Sequence, residues 1–65
     1  MDKDLLMYEM KKREISVDSL CDKLGISRSA FYRKMNGSSE FTLGEVRGII
    51  QCLGLTNYID IFFVK

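Results

Sequence analysis

Apolar positions along the 65-residue chain recur with a helical period, and turn residues cut that period into five short segments. The first runs from a cap at Asp2 or Asp4 to about Arg13. Within it Leu6 and Met10 share one face, with Leu5 or Met7 beside them. A second segment places Leu20, Cys21 and Leu24 on one side and Asp18, Asp22 and Lys23 on the other. Ser16 can cap it through its side-chain oxygen, and Asp18 sits where the helix dipole favours negative charge. Gly25 then ends the helix, because glycine adopts the left-handed backbone of a C-terminal cap without steric cost. Ile26 follows as an apolar turn residue, and Ser27 caps a third helix that reaches Asn36 and stops at Gly37.

Glu14 to Ser16 form a short connector, with Ile15 placed to staple onto the second helix. After the turn Gly37-Ser38-Ser39 and the lead-in Glu40-Phe41, Thr42-Leu43-Gly44-Glu45 matches a capping box. Leu43, Val46, Ile49, Ile50 and Leu53 then predict one apolar stripe on a fourth helix closed by Gly54. Inside it Gly44 and Gly48 each cost up to about 1 kcal/mol relative to alanine, so they mark either a close helix crossing or exposed positions. Thr56 or Asn57 starts a last helix ending near Phe63. Its Tyr58, Ile59, Ile61, Phe62 and Phe63 are too many apolar residues for one side of a short helix, and some of them face solvent in an isolated monomer. This segment either closes the core or meets a second copy of the chain.

On a helical wheel of about 100° per residue the third helix separates into two faces. Arg28, Ser29, Tyr32, Arg33 and Asn36 share one; Ser27, Ala30, Phe31 and Lys34 share the other, with Met35 at the border. The first face carries hydrogen-bond donors suited to phosphates and to purine edges in a major groove.

These residues carry a family resemblance. Leu20, the small Cys21, Leu24, Gly25, Ile26, Phe31 and the closing Asn36-Gly37 resemble the helix-turn-helix of the phage Cro/repressor family, also called the xenobiotic-response-element family. The stretch SRSAFYRKMNGSSEFTLGEV is similar to small regulators of Gram-positive phages and prophages. The resemblance implies an all-α fold: a compact bundle of about five short helices with a lambda-repressor-like helix-turn-helix, residues 1–65 forming one domain. One position departs from the pattern. Three residues after Phe31 the family carries an apolar side chain, and here stands Lys34. Either its aliphatic stem lies across the core while the ammonium reaches water, or the helix is rotated so that Met35 takes the buried place.

Composition narrows the function classes. An apolar fraction of 46% without proline suits a compact helical domain, and no run approaches the roughly 20 apolar residues that cross a bilayer. Charges at Asp2, Lys3 and Asp4 without a signal-peptide core make a cytoplasmic protein the expectation. The chain has two cysteines, Cys21 and Cys52, no CxxC pair and no histidine, so no metal site is expected; the two thiols read first as reduced packing residues, with a disulfide between them as the alternative. A formal net charge of +1 is low for a nucleic-acid binder. Its distribution is polarised, however: Lys11, Lys12 and Arg13 cluster before the motif, and from Lys23 to Met35 there are bases and no acid.

The leading expectation is a sequence-specific, double-stranded DNA-binding transcriptional regulator of repressor/Cro type. Its recognition helix, about 28–36, enters the major groove. Arg28, Ser29, Tyr32 and Arg33 reach base edges. By resemblance to the family's phosphate clamp, Ser16 and the amide of Val17 hold the DNA backbone at a helix N-terminus, and Asn36 does so further on. Lys12 and Arg13 either contact phosphates as well or complement the dipole at the end of the first helix. A homodimer would read a two-fold operator. The alternative is a helix-turn-helix protein-interaction module, antitoxin- or adaptor-like, using the apolar C-terminal segment. No enzyme activity, cofactor, membrane contact or small-molecule substrate is expected, since the sequence offers neither a paired-carboxylate site nor a phosphate-cradling glycine loop.

Overall fold

The computed structural model describes residues 1–63, and these form five α-helices. They are α1 (Lys3–Lys12), α2 (Val17–Leu24), α3 (Arg28–Met35), α4 (Leu43–Leu53) and α5 (Tyr58–Phe62). The all-α bundle expected from the periodicity is therefore the fold. Each of the first four helices starts on a side-chain cap of the anticipated chemistry. Asp2, not Asp4, caps α1; Ser16, Ser27 and Thr42 cap α2, α3 and α4, and the Thr42–Glu45 capping box is complete. Each cap satisfies an amide that the helix itself leaves unpaired.

The ends of these four helices share one device. A residue with left-handed backbone follows each helix, and the next amide reaches back five residues to a carbonyl. The pairs are Ile15 to Met10 (3.0 Å), Ile26 to Cys21 (3.1 Å), Ser38 to Arg33 (2.9 Å) and Leu55 to Ile50 (3.1 Å). At α2 and α4 the left-handed residue is Gly25 or Gly54, and an apolar side chain, Ile26 or Leu55, then folds back onto the core. At the end of α1 the same place is held by Glu14 at φ 56°, where a Cβ is unfavourable.

Ten side chains form the core: Leu6, Met10, Leu20, Cys21, Phe31, Met35, Ile49, Leu53, Leu55 and Ile61. α2 packs chiefly against α4 and α3, and α1 against α5. Gly48 marks the α2–α4 crossing: a Cβ there would lie 2.7 Å from Leu24 Cδ2, whereas one on Gly44 would meet only its own cap at 3.9 Å. The two glycines that look alike in sequence thus answer the two alternatives separately. The predicted α4 stripe is shortened at its start. Ile49 and Leu53 are buried and Val46 and Ile50 half-buried, but Leu43, in the first turn and roughly 90° or more round the helix from that buried pair at about 100° per residue, is 65% exposed.

α5 has only five residues, too few to be stable alone, and is held at both ends by α1. The Asp2 amide donates to the Ile61 carbonyl at 2.7 Å, and Asn57 Nδ2 donates to Glu9 Oε2 at 3.2 Å. Asn57 occupies the cap position of α5 without capping it, because its side chain is used on Glu9. Ile61 is buried, while Tyr58, Ile59 and Phe63 are exposed, so this segment both closes the core and leaves apolar surface outside. Both cysteines are free thiols, Cys21 buried and Cys52 half-buried. No helix among the described residues is long and apolar enough to cross a membrane.

Candidate nucleic-acid interface

α3 is anchored from below and open above. Phe31 is fully buried, meeting Phe41 edge-on at 5.9 Å between ring centres, and Met35 is buried one turn later. With those two positions inward, Arg28, Ser29, Tyr32, Arg33 and Asn36 are all exposed. The grouping that the helical wheel predicts is therefore a real surface.

Lys34 follows neither of the two sequence-based alternatives alone. Met35 takes the buried place, and Lys34 is itself only 16% exposed, with its ammonium on Glu45 Oε1 at 2.6 Å instead of in water. The Nζ also lies 6.0 Å from the centre of the Phe41 ring. This pair holds the Glu45 carboxyl below its usual range, and the α4 cap reinforces the effect.

The turn between α2 and α3 is bound by backbone and thiol. The Gly25 amide donates to the Cys21 carbonyl at 2.8 Å, and Cys21 Sγ lies 3.9 Å from the Ser27 carbonyl. Burial pushes the Cys21 thiol pKa up, so it stays protonated and packs as a small apolar group. Across this turn Arg28 Nε meets Asp18 Oδ1 at 3.2 Å. The Tyr32 hydroxyl first, and then Asp18, raise the Arg28 pKa further above its ordinary value. Nothing in the spacing of Asp18 and Arg28 announces this contact, which joins the first turns of two different helices.

The residues expected at phosphates are placed unequally. Ser16 is exposed at the N-terminus of α2, where its Oγ accepts from the Ser19 amide at 3.1 Å. Val17, the first residue of that helix, is half-buried against the core. Asn36 is exposed at the C-cap of α3, and Lys12 is exposed with its Nζ 6.0 Å from the Tyr8 ring centre. Arg13 is directed inward: its Nη1 donates to the Glu9 carbonyl at 3.2 Å and pairs with the Glu9 carboxylate. Glu9, an acid with no buried role foreseeable from its position, is thereby a core residue, with a carboxyl held below its usual range chiefly by Arg13. No cluster of metal-ligating side chains occurs among the described residues.

Five helices arranged so that a capped helix-turn-helix turns a basic, polar face outward define a small all-α helix-turn-helix domain. A family model for the BetR domain matches residues 3–61, from the first residue of α1 into α5, and the chain belongs to the BetR domain family. No curated protein and no solved structure matches it.

Proposed function

We propose that this domain is a sequence-specific transcriptional regulator of repressor/Cro type that binds double-stranded DNA through α3. The observation that carries this reading is the outward face of α3: two arginines, a serine, a tyrosine and an asparagine exposed together over the buried Phe31 and Met35. A helix held this way presents its first residues to base edges in a major groove. Arg28, Ser29, Tyr32 and Arg33 take that role. Ser16, the Val17 amide, Asn36 and Lys12 contact the sugar-phosphate backbone. Arg13, committed to Glu9, orders the end of α1 beside them.

Exposed Ile59 and Phe63, at 62% and 61%, supply apolar surface to a second copy, which would pair two α3 helices on a two-fold operator. The same side chains favour the second reading, a protein-interaction module with no DNA target. Selection of bound sites from random duplexes at physiological salt tests the first reading and yields site symmetry as well. Displacement of counterions predicts an affinity that falls steeply with salt, whereas an apolar protein contact leaves salt dependence shallow. Failure to enrich any sequence, with salt-insensitive capture of a protein partner, would decide for the second reading.

A further inference from the structure

Asp18 is an acid on a face otherwise furnished for anions. It lies in the first turn of α2, two residues after Ser16, and its carboxylate engages Nε of Arg28, the first residue of α3. The side chains are 69% and 64% exposed, so the pair contributes little to folding stability. Its effect falls on what Arg28 can accept as a partner.

A phosphate oxygen approaching Arg28 would share the guanidinium with a carboxylate, and the two anions repel. A neutral acceptor meets no such repulsion. Guanine offers two neutral acceptors side by side, O6 and N7, and an arginine whose Nε is engaged by a carboxylate presents its two terminal nitrogens in the fork that fits them, the neutral Tyr32 hydroxyl beside it yielding to the base. Adenine sets an amino donor beside N7, opposing donor to donor. Cytosine presents a donor, and thymine one carbonyl beside a methyl group.

Resting on the duplex-binding reading above, we infer that Asp18 is a positioning residue that makes Arg28 a reader of guanine and keeps it from acting as a phosphate clamp.

The test is site selection and competition binding with the unaltered protein, Asp18→Asn, Arg28→Ala and the double variant, each checked for folding by circular dichroism. Asp18→Asn is expected to lower the preference for guanine at one base pair on the order of tenfold, within the discrimination a bidentate contact supplies. It is also expected to tighten binding to random duplex and to steepen the log–log salt slope by about 0.9, as a freed Arg28 neutralises one more phosphate. In the Arg28→Ala background Asp18→Asn should leave base preference unchanged. Equal tightening on selected and random duplexes with unaltered base frequencies would overturn the inference while leaving the regulator reading intact. So would a change of base preference that persists without Arg28. An unaltered protein that selects no duplex would remove the regulator reading and this inference together.

Discussion

Lys34 Nζ and Glu45 Oε1 are 2.6 Å apart, and the same Glu45 oxygen accepts the Thr42 amide at 2.9 Å, so one atom closes the α4 cap and ties it to α3. With both side chains about one-seventh exposed, removing one partner strands the other in poor solvent. Lys34→Met is expected to cost about 2 kcal/mol, less than the full penalty of a fully buried pair. Adding Glu45→Gln, which retains an acceptor for the cap, should recover most of that loss. A double-mutant cycle by urea denaturation measures the coupling, and additive losses would contradict it.

Glu9 predicts an acid limb in the stability profile. Its folded-state pKa lies below the ordinary 4.5, so it adds stability above that value, and the contribution disappears as pH falls through the lowered folded pKa. Glu9→Gln should reduce thermal stability near neutrality and flatten its decline between about pH 5 and about pH 3. Thermal unfolding across that range checks both parts. An unchanged slope would show that Glu45, whose pKa is lowered in the same direction, dominates the acid response.

Glu14 is a site where glycine should stabilise. At φ 56° the glutamate side chain is in the left-handed region, which costs a residue with a Cβ about 1–2 kcal/mol. Part of the gain on relieving it is offset by glycine's extra freedom in the unfolded chain. Glu14→Gly should therefore raise stability by about 0.5–1 kcal/mol, or a few degrees in Tm. A lower Tm would contradict the assigned backbone.

Gly44 and Gly48 should respond oppositely to alanine. At Gly44 the new methyl meets only ordinary contact, and the improved helix propensity adds about 0.5 kcal/mol. At Gly48 it would stand 2.7 Å from Leu24 Cδ2, so α2 and α4 or the leucine must yield, and the propensity gain is lost. Equal stabilisation of both variants in calorimetry would show that the crossing is looser than described.

Arg33→Ala should remove about 1–3 kcal/mol of binding to a selected site and less from random duplex. An equal loss on both would assign Arg33 to phosphates. Fluorescence anisotropy at two salt concentrations separates the outcomes.

Caps, helical period and left-handed glycines are relationships among residues within about five positions of one another, and they were legible in the chain. They account for five helices, for the capping box at Thr42 and for the two faces of α3. The departures share another character. Glu14 takes a glycine's conformation with no turn residue to signal it, and Leu43 stays outside the core because the buried side of α4 centres on Ile49 and Leu53. The partners Glu9–Asn57, Lys34–Glu45 and Asp18–Arg28 join different helices, over separations that periodicity does not encode.

What the sequence alone determined, then, is which segments are helical, where each begins and which side of α3 is polar, because backbone hydrogen bonding and side-chain caps act locally. Tertiary structure decided how those helices are rotated and which distant polar groups meet: Asn57 brought to Glu9, Lys34 drawn onto Glu45, and Arg28 held by Asp18. The physical reason is that burial and ion pairing depend on distances set only when the helices pack around Phe31, Leu20 and Ile49.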